Sequence, residues 1–203
     1  MDRNGPHDVV EITISLQGIE PRVWRRVQVP ADFSLRRLHD VIQAVVGWLD
    51  DHLHRFEIGD KHYGQPEIAG DDHSGPPLHS DRHTHLAQLL ERGVERFTYT
   101  YDFGDDWRHD IEIERTVRAQ PGIEYPILVA GERRGPPEDC GGPYGYLEFL
   151  DAISDPAHPG HEEAMDWYGE PFDPEDMELD TVEAMLSRIR GQRRKGPRNR
   201  KRV

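Results

Sequence analysis

The sequence predicts an α+β fold: an antiparallel sheet built from hairpins, with helices packed at its face and ends. Three observations carry that expectation. Segments with period-two alternation come in adjacent pairs. The helical segments cluster before and after those pairs instead of alternating with single strands. No internal repeat is visible.

The elements follow in order. In "VVEITISL", Val10, Ile12, Ile14 and Leu16 alternate with Glu11, Thr13 and Ser15, the pattern of a half-buried strand. After the break "QGIEP", the segment "RVWRRVQVP" resumes it with Val23, Val27 and Val29 on one face, so the two form a hairpin. Ser34 is the expected N-cap of a helix whose Leu35, Leu38, Ile42 and Val45 recur at helical spacing and which Gly47 ends. "HLHRFEIGDKHYG" reads as a strand and a turn, with His52, His54, Phe56 and Ile58 on one face. Residues 64–83, rich in Gly, Pro, Asp and His, read as a long surface loop. "THLAQLLERG" is a short helix closed by Gly93.

"FTYTY" and "WRHDIEIERT" flank "DFGDD" as the two strands of another hairpin. Its Asp and Gly residues suit tight backbone angles, so most of these acids need no catalytic explanation. "EYPILVAG" is a further strand, "ERRGPPEDCGGPYGY" a Gly- and Pro-dense loop, and "GYLEFLDAIS", "EEAMDWYG" and "DPEDMELDTVEAMLSRIR" three closing helices. Residues 9–190 are thus expected to form a single domain between a disordered N-terminus (1–8) and a disordered basic tail (191–203).

Composition narrows the function. The chain has 203 residues, no apolar run near the roughly 20 residues a membrane span needs, and no apolar segment after its N-terminal charges. Cys140 is the sole cysteine, which excludes an internal disulfide and favours a cytoplasmic protein without membrane partners. The net charge of −14 is uneven. Residues 188–203 hold nine Lys or Arg and no acid, leaving the other 187 residues with 16 basic against 39 acidic side chains. That acidic body repels phosphate backbones, so nucleic acid could be held only through the tail.

Candidate chemistry is sparse. His109 shares the inward face with Trp107, Ile111 and Ile113, where an imidazole serves as a core residue, a ligand or a base. His52-x-His54 on one strand face could chelate a divalent metal if His109 or Cys140 supplied a third ligand. His79, His83 and His85 lack zinc spacing and belong to a solvated loop. "HEEAM" fails as HExxH at Met165, and phosphate-loop, dinucleotide, nucleophile-elbow and EF-hand patterns are all missing. Asp139 beside Cys140 opposes thiolate formation.

"PRVWRRVQVP", "LHDVIQAVVGW", "DHLHRFEIGDKHYG", "YTYDFGDDWRHDIEIE", "PPEDCGGPYGYLEFL" and "WYGEPFDPE" occur in an order that resembles the plasmid pRiA4b ORF-3-like family across residues 8–190. The resemblance implies an α+β protein of plasmids, mobile elements and bacterial chromosomes, some relatives carrying an insertion-element passenger or TnpR label. Resolvase chemistry does not follow from that label. The N-terminal serines Ser15 and Ser34 fall in a strand and at a helix cap, and the body lacks the basic constellation a tyrosine recombinase needs. Relatives often carry a cysteine where this chain has Gly135, which weighs against a thiolate metal site.

The expected function is a binding or interaction module for a protein or small-molecule ligand. Its surface would comprise Asp102, Gly104, Asp105, Asp106 and Trp107 of the turn with Glu138, Asp139, Cys140, Tyr144 and Tyr146 of the loop. Trp167 is a further contact candidate. The alternatives are a metal-assisted hydrolase or nuclease, with His52, His54 and His109 as ligands and Asp105 or Asp106 activating water, and a nucleic-acid accessory factor acting through the tail.

Overall fold

The computed structural model describes residues 8–69 and 76–194. An eight-stranded sheet runs in the order β5-β4-β3-β6-β7-β1-β2-β8, antiparallel throughout except for the β4–β5 pair. Its strands are β1 (Asp8–Leu16), β2 (Trp24–Pro30), β3 (His54–Ile58), β4 (Lys61–Gly64), β5 (Leu78–Ser80), β6 (Arg96–Tyr101), β7 (Trp107–Arg118) and β8 (Ile127–Glu132). The helices are α1 (Leu35–Val46), α2 (Pro66–Ala69), α3 (Leu86–Glu91), α4 (Gly142–Ser154), α5 (His161–Tyr168) and α6 (Leu179–Arg194). This is the α+β architecture that the paired alternating segments predict.

The central strand β1 is buried along both faces for different reasons. Val10, Ile12 and Ile14 enter the core. Glu11, Thr13 and Ser15 are covered by long side chains from neighbouring strands, through Gln28 and Arg115 to Glu11, Glu114 to Thr13, and Arg22 to Ser15. Charged side chains lay their aliphatic stems over the strand and keep their heads in water. Register then fixes what lines the core face. Phe56 stands opposite Tyr99, Tyr99 opposite His109, and His109 opposite Leu16. In the next rung His54 faces Tyr101, which faces Trp107.

Helix α1 lies over this face and buries Leu35, Leu38, Val41, Ile42 and Val45. Ser34 Oγ accepts from the Arg37 amide and Gly47 closes the helix at a φ of 101°, as the sequence predicts. Helix α6 packs on α1 through the buried Val182, Leu186 and Ile189, while α4 adds Tyr146 and Phe149 to the same core.

Arg25 is a surprise of the β2 register. It pairs with Ile14 on the core face and is only 1% exposed. Its guanidinium donates to three backbone carbonyls, of Val45 (2.7 Å), Trp24 (2.8 Å) and Glu132 (2.8 Å), so it satisfies the end of α1 from beneath. Burial lowers its pKa to about 10.

Three sequence expectations need correction. The 64–83 segment is not all loop: β5 adds a parallel strand to β4, and the Asp81 side chain that follows is wholly buried. His52 precedes β3 instead of lying on it, because the pairing of β3 with β6 begins at His54. Residues 191–194, assigned to the basic tail, continue α6. Residues 195–203 and 1–7, where the rest of the tail and the N-terminal segment fall, lie outside the described residues. No helix among the described residues is long and apolar enough to cross a membrane.

Candidate functional site at the junction of three loops

The hairpin turn 102–106, the loop 135–141 and the α1–β3 connection 47–53 meet at one end of the sheet. The turn forms because Asp102 adopts a left-handed φ of 52° and its Oδ1 accepts from the Gly104 amide, a local carboxylate-to-amide turn. The second loop docks on it: Asp105 Oδ2 accepts from the Gly141 amide (3.1 Å). Gly142, at a φ of 69°, lies so close that a Cβ there would collide with the Asp105 carbonyl. Two further bonds fix the third loop. Trp48 Nε1 donates to the Pro136 carbonyl (2.9 Å), and Glu138 Oε1 accepts from the Leu49 amide (2.9 Å) and the Tyr101 hydroxyl (3.0 Å). Burial raises the Glu138 pKa from its ordinary value, against the pull of those two donors. Gly135 abuts the Val46 carbonyl with no room for a side chain, so this packing requires glycine here.

The predicted surface residues divide. Gly104, Asp105, Asp106, Glu138, Asp139, Cys140 and Tyr144 are exposed or half-buried there, Tyr144 at 73%. Asp102 is buried apart from the carboxylate edge turned to His52. Trp107 and Tyr146 are core residues, not surface ones. Trp107 lies on the inward rung beside Trp48, and the Tyr146 hydroxyl reaches the Arg134 carbonyl (3.2 Å). Trp167 is half-exposed at the edge of a cleft of about 560 Å³ that it lines with Asp139, Cys140, Glu148, Phe149 and His158. Burial, with Asp105 nearby, pushes the Cys140 thiol up to about 12, which opposes thiolate formation.

The three proposed metal ligands do not converge. His109 is fully buried, its Nδ1 against the Trp107 carbonyl (3.1 Å), and burial drops its pKa to about 4. His54 turns beneath α1, where its Nε2 meets Asp81 Oδ2 (2.9 Å) and its ring stacks on His39 (3.7 Å, 19°). His52 faces the loops instead. Its Nε2 lies 3.0 Å from Asp139 Oδ1 and 3.7 Å from Asp102 Oδ2. Neither Asp105 nor Asp106 faces a histidine: Asp105 serves Gly141, and Asp106 pairs with Arg108. The metal-assisted hydrolase built on that ligand trio is therefore not assembled.

The sequence reading missed the partners in this buried polar layer. His39 Nδ1 meets the Tyr99 hydroxyl (2.8 Å) and its Nε2 meets Asp50 Oδ1 (2.8 Å). Burial lowers His39 to about 4. Asp50 falls to about 2, because the His39 and Arg36 contacts outweigh its partial burial. His39 follows Leu35 by four positions on the apolar face of α1, a signal present in the sequence. Asp81 carried no such signal.

A family profile described as plasmid pRiA4b ORF-3-like protein matches residues 8–181. The chain belongs to that family. Among its relatives is the uncharacterized protein y4hQ of Sinorhizobium fredii (strain NBRC 101917 / NGR234), 44% identical over 161 residues, which are 79% of this chain and 81% of y4hQ. A crystal structure of a protein of unknown function, MM3350 from Methanosarcina mazei Go1, superposes with a TM-score of 0.77 at 37% identity, covering 85% of this chain and 96% of that one. The pRiA4b ORF-3-like match takes in all three loops of the junction.

Proposed function

We propose that this protein is a cytoplasmic binding module, carried with plasmid and mobile-element genes, whose recognition surface is the three-loop junction. One observation carries the reading: the loops are held by side-chain-to-backbone bonds, yet they and the first turn of α4 expose large apolar side chains. Leu49 is 69% exposed, Phe103 49% and Tyr144 73%. Apolar groups left in water on an ordered backbone suit a surface awaiting a partner, because little ordering entropy remains to be lost on binding. Aromatic anchors of this kind carry a large share of interface energy. The adjoining cleft, lined by Phe149 and Trp167, has the size of a site for a peptide side chain or small ligand. The plasmid in the family's description and the single half-buried cysteine support the genetic and cellular setting.

The test compares parent protein with a Leu49→Ser/Phe103→Ser/Tyr144→Ser variant as immobilised bait in extract of the source cells, after thermal melting has shown both to be folded. The expected result is a molecule enriched on the parent at least tenfold over the variant. Identical captured sets would remove the three-loop surface as the recognition site.

A further inference from the structure

We propose that His52 Nε2, Asp102 Oδ2 and Asp139 Oδ1 bind one divalent transition-metal ion where the three loops meet. The site lies within the proposed recognition surface but does not depend on that reading, since it needs no macromolecular partner and uses none of the exposed apolar side chains.

Geometry is the first support. A metal bonding nitrogen and carboxylate oxygen at roughly 2.0–2.2 Å places neighbouring ligand atoms roughly 3 to 3.5 Å apart. The separations from Nε2 are 3.0 and 3.7 Å, and the three ligand atoms all lie within 4.8 Å of one another. Little movement would bring all three onto one ion.

Unsatisfied valence is the second. His52 Nε2 is shielded from solvent and makes no hydrogen bond, although the Asp139 oxygen is 3.0 Å away. The contact has the distance of a hydrogen bond without its direction. An ion held by both carboxylates would give that shielded nitrogen the partner it lacks. Asp102 commits Oδ1 to the Gly104 amide, which leaves Oδ2 facing the histidine. Among the described residues no Lys or Arg makes an ion pair with Asp102 or Asp139, so two carboxylates converge on one imidazole without a fixed compensating charge.

Preorganisation is the third. The Tyr101 hydroxyl accepts from the Asp51 and His52 amides (3.1 and 3.3 Å) and so fixes the backbone that carries the imidazole. The Asp102 amide donates to the Leu53 carbonyl (2.9 Å), and the Asp105–Gly141 bond positions the loop that carries Asp139. Such outer contacts orient metal ligands before the ion arrives. Asp139 lies on the open side with 72% of its side chain exposed, which leaves coordination positions for water or an incoming group. One imidazole with two carboxylates favours Zn²⁺ or Mn²⁺ over Mg²⁺ or Ca²⁺, which prefer all-oxygen shells.

The neighbouring trio His39, Asp50 and His54 also lies within 4.8 Å but does not suit a metal. Its two imidazoles are stacked at 3.7 Å with planes 19° apart, and an ion cannot lie in both ring planes at bonding distance. Both His39 nitrogens are already engaged, by Tyr99 and Asp50.

The test is calorimetric titration of the full chain, stripped of metal by a chelator that is then removed, with Mn²⁺ and with Zn²⁺. Asp139→Asn, His52→Ala and Asp50→Asn are titrated alongside. Asp139 has a φ of 57°, a conformation asparagine also adopts, so that variant removes charge and leaves the backbone intact. The expected result is one saturable equivalent per chain, weakened about tenfold or more in Asp139→Asn and His52→Ala and unchanged in Asp50→Asn. No saturable binding in the parent, or a site of equal affinity in both loop variants, would overturn the proposal.

Discussion

Two clusters of histidine and aspartate are built around His54 and His52, two positions apart in the chain, and they differ in almost every physical respect. Beneath α1, His39 and His54 stack on each other and are capped by Asp50 and Asp81. Tyr99 and Gln43 extend the network, and water is excluded from most of it. At the loop junction His52 faces Asp102 and Asp139 across a partly open space, with its Nε2 unbonded. The same residue types therefore form a staple between helix and sheet in one place and a ligand set open to solvent in the other. Exposure and ring geometry separate the two roles; residue content does not, and His54 Nδ1 and Asp81 Oδ1 of the buried cluster lack partners just as His52 Nε2 does.

The comparison is sharpest where the buried staple is cut. Asp81 and the His54 side chain are wholly inaccessible to solvent, so Asp81→Ala leaves an imidazole buried without its carboxylate. Leaving that buried imidazole nitrogen without its hydrogen-bond partner costs up to about 3 kcal/mol. Urea denaturation should show a loss of that size with no change in metal affinity. A loss below about 1 kcal/mol would mean that the buried pair does not hold the fold.

Acid provides the next largest effect. His39 and His109 keep pKa values of about 4 in the folded chain because burial disfavours their charged forms. The unfolded chain takes up protons near the ordinary histidine value of about 6.5, before the folded chain does. Stability is therefore complete above that value and falls as pH drops from about 6.5 to about 4, by up to about 3 kcal/mol for each histidine. Denaturation midpoints across that window should decline, and the decline should shrink in His109→Gln. A flat profile would show that the two rings titrate normally.

A smaller effect belongs to the loop docking. Gly142→Ala places a Cβ against the Asp105 carbonyl at a backbone angle unfavourable to L-residues, with an expected cost of about 2 kcal/mol. Because it separates the turn from the 135–141 loop, it should also weaken metal binding although it touches no ligand. Smallest of all, Asp139→Asn should alter stability by no more than about 0.5 kcal/mol, since the side chain is largely in water. Cooperative melting of that variant near the parent temperature would check this.

Much of the fold was legible in the sequence because it rests on local signals. The β1–β2 and β6–β7 hairpins follow from alternation, and the limits of α1 follow from Ser34 and Gly47. The inward turn of His109 was legible for the same reason. What was not legible depends on contacts distant in sequence. Asp81 meets His54 across 27 positions and Arg25 reaches Glu132 across 107, and neither separation leaves a periodic trace. The site was half legible. The turn and the Cys140 loop do meet, as their composition suggested, but strand alternation placed His52 beside His54 when β3 begins only at His54. That one-element boundary sent the metal-ligand reading toward the buried staple and away from Asp102 and Asp139.

The most direct measurement is anomalous diffraction from crystals of the full chain grown with Mn²⁺. The expected result is a single strong peak roughly 2.0–2.2 Å from His52 Nε2, Asp102 Oδ2 and Asp139 Oδ1, with the stacked His39 and His54 rings unmoved. A peak between His39 and His54, or no bound ion near His52 at saturating Mn²⁺, would contradict the division between a closed structural cluster and an open ligand site.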